Sequence, residues 1–279
     1  MPSVFSSISD VIAAVTAHGQ SVFMHKTGFT GVGTNSPVAT INGQFTSLWQ
    51  YTGYAPAGSA PTTVAIPDNT TNGAQKQSNA SGGRSLYLLH LSAHANAIGS
   101  LTLYDRLLHQ GNLSGTVTTA QTVGGAITRN TGGGGNEIWV EIYTQIGTTA
   151  TTITASYTNQ AGTSGKTTQA VTFGGTNNRE AQRMIRLPLA SGDSGVQSVQ
   201  SVTVLATTGT AGAFGVTIVH PIAEISLDNL GVGAVRDFAA GIPDFPLIEP
   251  GACLAWIWLP QTTVTLLEQM YASMQFAEK

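Results

Sequence analysis

His90, His94 and His109 are the residues whose type and spacing come nearest to a reactive set. His90 and His94 stand four apart, a spacing that chelates a metal when it falls on a helix. Their setting, Leu88-Leu89-His90-Leu91-Ser92-Ala93-His94-Ala95-Asn96, reads instead as a strand end followed by a turn, with no carboxylate near in sequence. Ligation needs converging ligands, so polar histidines satisfied locally or at a subunit contact are expected. Glu137 and Glu141 are a pair of carboxylates four apart. On a strand they share one face about 13 Å apart, too far for a paired hydrolytic site, and a solvated strand face is expected.

Nucleophile and phosphate motifs are equally incomplete. Gly162-Thr163-Ser164-Gly165 and Gly192-Asp193-Ser194-Gly195 lack the Gly-x-Ser-x-Gly order and the strand-to-helix setting of a nucleophile elbow, and they predict hairpin turns. The run Gly132–Gly135 has no following Lys-Ser/Thr, which a phosphate loop requires. Asp228, Asn229 and Asp237 do not match a calcium loop. Cys253, the one cysteine, lies in the apolar run Ala252–Leu259. It predicts a small buried hydrophobe and excludes an intrachain disulfide. No catalytic, cofactor-binding or metal-ligating residue is assigned, no cofactor is implied, and the chain is expected not to be an enzyme.

The elements around these residues are predominantly strands. A short helix is predicted, capped at Ser9-Asp10, running through Val11–Ala17 and stopped at Gly19. Strands are predicted at Ser21–Lys26 and Gln44–Tyr51, with a Gly-rich turn region between them. Thr52–Gly83, with Pro56, Pro61 and Pro67, reads as a long irregular surface excursion that contacts another subunit. Further strands are predicted at Ser85–His90, Ser100–His109, Gly115–Val123, Glu137–Gln145, Thr151–Tyr157, Thr167–Phe173, Gln182–Leu189, Val196–Ala206, Gly215–Val219 and Ile222–Leu227. Short segments at about ten-residue spacing, split by Gly, Asn and Ser turns, predict an all-β fold: an antiparallel β-sandwich, jelly-roll-like, with an N-terminal arm and long irregular loops. Asp228–Pro250 reads as a linker. Ala252–Leu259 reads as a strand buried on both faces, and Val264–Phe276 as strand or helix. The domain division is 1–84 (arm, short helix and extended loop), 85–227 (sandwich core) and 228–279 (linker and apolar strand packing on the core or a neighbour).

Composition narrows the class of function. The chain has 279 residues, 9% of them charged and 41% hydrophobic, with a formal net charge of −3. Soluble domains carry about 25% charged residues, so the surface is a neutral coat of Thr, Ser, Gln, Asn and Gly. Such a coat lowers the desolvation cost of permanent packing against neighbours and carries little mutual repulsion. Basic residues are spread singly, which argues against nucleic acid, whose binding needs clustered positive charge. Met1-Pro2-Ser3-Val4-Phe5 has no basic n-region or long apolar core, and no apolar run reaches about 18 residues. Neither a secretory signal nor a membrane span is expected, and the protein is expected to be assembled in a host cytoplasm.

Leu101–Val123 (LTLYDRLLHQGNLSGTVTTAQTV), Ser156–Gly162 (SYTNQAG) and Ser198–Thr203 (SVQSVT) resemble segments of virion structural proteins of tailed bacteriophages. The resemblance spans roughly Leu86–Ile225, with a weaker echo in Leu48–Gly53 (LWQYTG). It implies a particle component. Joined to the charge-poor coat and the long arm and loop, it leads to the expectation of a capsid decoration (cement) protein on the outer shell. Such a protein would be a homotrimer contacting the major capsid protein and bridging neighbouring capsomers. Two rivals stand beside it: a tail, baseplate or fibre component, and a carbohydrate-binding module for host surface glycan, using Trp49, Tyr51, Trp139, Trp256 or Trp258 as stacking platforms.

Overall fold

The computed structural model describes residues 5–27, 42–238, 245–262 and 269–279. One helix, α1 (Ile8–His18), precedes seventeen strands among them. The strands are β1 (Gln20–Thr27), β2 (Thr46–Ser47), β3 (Thr52–Gly53), β4 (Leu86–Ala95), β5 (Gly99–Leu113), β6 (Gln121–Thr122), β7 (Glu137–Thr144), β8 (Thr151–Asn159) and β9 (Lys166–Thr167). They continue as β10 (Val171–Phe173), β11 (Met184–Leu187), β12 (Val196–Val204), β13 (Ala213–Leu227), β14 (Ala234–Asp237), β15 (Leu247–Ile248), β16 (Leu254–Pro260) and β17 (Gln269–Glu278). The expected antiparallel sandwich is present. No helix among the described residues is long and apolar enough to cross a membrane.

Three sheets form. The central one has the order β11-β7-β13-β5-β16-β2, a second β10-β8-β12-β6, and the third β14-β4-β17-β1-β3, with β15 also on β4 and β9 on β8. Cross-strand register sorts the side chains of the central sheet. Ile138, Val140 and Ile142 stand opposite Ile218, Val216 and Phe214, and Leu101 and Leu103 opposite Ile225 and Ala223. Extra residues at Leu107 in β5 and Ile222 in β13 shift the register, and such bulges re-aim the side chains beyond them. All these residues therefore share one face. Its β7 end packs on the second sheet through Tyr157, Val199 and Val202. Its other end packs on the third sheet through Leu88, Leu91 and Met274. One sheet thus closes two sandwiches side by side.

Several sequence boundaries move. The strands expected at Gly215–Val219 and Ile222–Leu227 are one strand, β13, which runs through Pro221. The bulge between Pro221 and Ala223 interrupts the ladder where proline has no N–H to give. Gly115–Val123 holds only the two-residue β6. Gly115 instead bonds to Ala211 and Thr208, which pins it beneath a loop. Gln44–Tyr51 likewise yields only β2. The helix starts earlier than expected: Ser7 is its N-cap, the Ser7 hydroxyl accepting from the Asp10 N–H. The Asp10 carboxylate reaches back to the N–H of Ser6, a reciprocal cap. Asp228–Pro250 is not merely a linker, because β14 and β15 pair with the edge of β4. β16 is buried on both faces as expected, and Gln269–Glu278 of the ambiguous final stretch is strand. Residues 263–268, and the Gly-rich turn region at 28–41, lie outside the described residues.

Thr52–Gly83 is irregular, as expected; its buried residues lie against this chain's own central sheet, while Tyr54 is 73% exposed. Ala65 exchanges both backbone hydrogen bonds with His109, and Gln75 N–H donates to Leu254 O. The Gln77 amide donates to Ala252 O at 2.6 Å. Trp49 plugs the seam, its indole N–H donating to Ser59 O. Gly58 and Gly73 close on the ring so tightly that a Cβ on either would stand 2.3 and 2.7 Å from it. Buried backbone must find partners, and here the sheet supplies them.

Candidate functional site

The residues singled out in the sequence do not converge. His90 and His94 both lie within β4, which continues to Ala95, so no strand end or turn separates them. His109 belongs to the central sheet. Among the described residues no group of three or more His, Cys, Asp and Glu could hold a metal ion. The two Gly-Ser motifs are turns. Asp193 accepts from Tyr157 Oη at 2.5 Å and Asn159 Nδ2 at 2.7 Å, while the Ser194 N–H is held by Gln160. Asn159 Oδ1 accepts from the N–H groups of Ala161 and Thr163 in the other turn. Cys253 is fully buried, and burial raises its thiol to about 12, far from a reactive thiolate.

Glu141 overturns the expected solvated face. Glu137 sits near the sheet edge with Arg186 and the Trp139 indole N–H, but Glu141 is fully buried and meets Arg106. Arg106 is itself inaccessible. Its guanidinium donates to His109 Nδ1 (3.0 Å), Tyr104 Oη (3.3 Å), Glu141 Oε2 (2.5 Å) and Tyr143 Oη (2.9 Å). The Trp49 ring lies 4.4 Å from Arg106 Cζ. Tyr143 and Thr217 also donate to Glu141. A second pair lies one residue away: Asp105 takes a two-pronged contact from Arg129 and the N–H of Cys253.

These contacts set the charges. Burial opposes the positive form of Arg106, but Glu141 and then Tyr143 outweigh it and hold its pKa well above the usual arginine value. Burial, reinforced by the Arg106 charge, drives His109 down to about 3, so its imidazole is neutral. Burial raises Tyr104 and Tyr143 far enough to keep both protonated. Arg106 and Glu141 are 0% exposed, so no substrate reaches them. The network fixes the seam between the central sheet and its irregular cover. Sequence reasoning missed it, although Asp105-Arg106 inside Leu103-Tyr104-Asp105-Arg106-Leu107-Leu108 is a charged pair in an otherwise apolar strand.

An accessible groove of about 780 Å³ lies on the outer face of the third sheet. Register draws it in rows. Phe23, Ser273, Ser92 and Val235 stand side by side on β1, β17, β4 and β14. The Ser92 and Ser273 hydroxyls share a 2.7 Å hydrogen bond on the floor, between exposed Phe23 and Val235. The next row is aromatic: Tyr54 meets His25 edge-on, His25 stacks on Tyr271 at 4.5 Å and 8°, and His94 tilts against Tyr271 at 6.2 Å. One ring face of Tyr271 is thus covered by His25. The five aromatics expected as glycan platforms are all buried: Trp49, Tyr51, Trp139, Trp256 and Trp258.

The same outer face carries α1. Val11 and Ala14 pack with Phe5, Tyr87, Leu89 and Ala277, while Ile8, Ile12 and Val15, about 100° round the helix, are exposed.

No protein-family model and no curated protein matches the chain. Among solved structures, the VP2 subviral particle of infectious bursal disease virus aligns over 93% of this chain and 80% of its own, at 10% identity and a TM-score of 0.17. The Gt strain of the same virus aligns over 93% and 80%, at 7% identity and a TM-score of 0.17. At that level the architecture described above rests on this chain's own strand pairing.

Proposed function

We propose that the chain is a structural subunit of a virus particle of the tailed-bacteriophage type, and within it a capsid decoration (cement) protein that bridges neighbouring capsomers from the outer shell. The observation that carries this role is the division of the surface. The chemistry-bearing residues Arg106, Glu141, Asp105 and Cys253 are locked inside, whereas Phe23, Tyr54, Val235 and the Ile8–Ile12–Val15 stripe are left in solvent on one outer face. Contiguous exposed apolar surface on a soluble protein marks an interaction site. The charge-poor coat and the resemblance of Leu86–Ile225 to tailed-phage virion proteins support the particle assignment.

Function here is area burial, with no residue performing chemistry. The outer face, to which α1 and Tyr54 and Lys76 of the Thr52–Gly83 segment contribute, is the contact with neighbours, including the major capsid protein. Deleting the gene from a phage that carries it tests the role. Virions lacking the protein are expected to lose infectivity at a lower temperature than intact ones. Unchanged heat resistance together with normal shells would overturn it.

A further inference from the structure

His109 joins the buried ionic network to the irregular cover. Its main chain exchanges both hydrogen bonds with Ala65 of the cover, and its imidazole, buried, lies edge-on to the Trp49 ring at 5.7 Å. The contact with Arg106 works in one protonation state only. Nδ1 accepts from Arg106 Nε at 3.0 Å, and an imidazole nitrogen that accepts carries no proton. An imidazolium there would set N–H against N–H, with two positive charges side by side away from water.

The elements around it leave that clash standing. Glu141 of β7 is engaged by Arg106, Tyr143 and Thr217. Tyr104 Oη accepts from Arg106, and Asp105 is taken by Arg129. β13 sets the uncharged Thr217 opposite His109. Of the cover's own charges, Asp68 acts on Arg129 and Lys76 is held by the Thr70 and Thr71 carbonyls. Among the described residues no carboxylate is bonded to the imidazole. The cover is also the part able to yield. It is tied to the sheet at separate points, Ala65 to His109, Gln75 to Leu254, Gln77 to Ala252 and Pro67 to Arg129, whereas β5 runs in continuous ladders with β13 and β16. Segments held this way open at a lower free energy than laddered strands.

We propose that His109 is an acid-operated latch: a proton on its imidazole releases the Thr52–Gly83 cover from the central sheet while the sheets themselves stay folded. Opening returns the imidazole to water, so each pH unit below 6.5 favours the open form about tenfold, down to the closed-state value of about 3. The latch stands apart from the particle role. It also has a built-in reporter, because Cys253, the chain's one cysteine, packs with Trp49 and Ala74 beneath the cover.

The test labels Cys253 in the full chain with dithiodipyridine, a disulfide that exchanges with thiols even in acid, between pH 7 and 4. Far-UV circular dichroism is read on the same samples, and each rate is divided by that of the urea-unfolded chain at the same pH. The corrected rate is expected to rise about tenfold per pH unit below 6.5, with the strand signal unchanged. Its dependence on urea is expected to be well below that of global unfolding, since less surface is exposed. His109→Gln, whose amide oxygen still accepts from Arg106, is expected to label at a pH-independent rate. Ala65→Pro, at an exposed position of the cover, removes the N–H given to His109 and is expected to label at least tenfold faster at pH 7 with the wild-type slope. A wild-type rate that ignores pH, or that rises only as the strand signal is lost, would overturn the latch, as would the wild-type slope persisting in His109→Gln. Should that variant not fold, a urea dependence equal to that of global unfolding in wild type would overturn it alone.

Discussion

Arg106 and Glu141 reach each other across the intervening strand β13, with Nη2 and Oε2 2.5 Å apart and neither side chain exposed. Two strands that share no ladder are joined by one ion pair, which also carries Tyr104, Tyr143, His109 and Thr217. A buried pair is weak evidence for net stability, because desolvation offsets much of the attraction. Removing one partner, however, leaves a lone buried charge and typically costs about 3–5 kcal/mol.

Arg106→Met is therefore expected to destabilise the fold by about 3–5 kcal/mol in urea unfolding. Arg106→Met combined with Glu141→Leu is expected to recover most of that loss, since no lone charge remains. A single variant costing under about 1 kcal/mol would show that water reaches the pair.

Acid should unfold the protein through His109. Its folded pKa of about 3 lies below the ordinary 6.5 because burial, then the Arg106 charge, disfavours the imidazolium. Unfolding takes up a proton between these values, so stability is full above pH 6.5 and falls as pH drops towards 3. The slope is up to about 1.4 kcal/mol per pH unit. Burial also lowers His220, which adds in the same direction. His109→Gln, whose amide oxygen can still accept from Arg106, is expected to flatten the stability profile between pH 6.5 and 4.5. An unchanged slope would assign acid sensitivity elsewhere.

Lys26 has the same sign of pH dependence in a higher window. Its ammonium is 1% exposed and donates to Tyr51 O at 2.8 Å, and burial lowers its pKa from 10.5 to about 8. Below pH 8 the charge is held in both states and destabilises the fold. Between 8 and 10.5 the folded form sheds the proton first, so this penalty is relieved as pH rises. Burial of Cys253 acts against it above about pH 9, where only the unfolded thiol ionises. The difference between wild type and Lys26→Met isolates the lysine. The variant's stability advantage at pH 7 is expected to shrink between pH 8 and 10.5, and a constant difference across that range would contradict the assignment.

Closure over Trp49 is tight enough to test directly. Gly58→Ala and Gly73→Ala each force a Cβ into the indole, and Gly73 also holds a φ of +100°. Each is expected to lower stability by about 1–3 kcal/mol, read as a shifted urea midpoint. Gly162→Ala, at a φ of +78° with open space around its Cβ position, is expected to cost less. A Gly73→Ala loss no larger than that of Gly162→Ala, with no loss at Gly58→Ala, would mean that backbone strain and not packing on Trp49 sets the effect.

Strand alternation made the fold class legible: Glu137–Tyr143 shows its two faces in sequence, and Ala252–Leu259 shows a strand buried on both sides. Bulges were not legible. Leu107 and Ile222 each add one residue and switch which neighbours share a face, a change no periodicity reports. The buried pairs were hidden for a related reason. Glu141 reads as half of a solvated alternation until Arg106, 35 residues away, is seen to face it. The docking face was hidden because Phe23, His25, Ser92, His94, Tyr271 and Ser273 come from three strands spread over the whole chain. Only their register brings them together.

Copy number on the particle tests the central claim most directly. Quantitative mass spectrometry of purified virions that carry the gene, scaled to the major capsid protein, is expected to find the chain in hundreds of copies per particle. A handful of copies, as at a tail or single vertex, or none, would contradict a shell-decorating role.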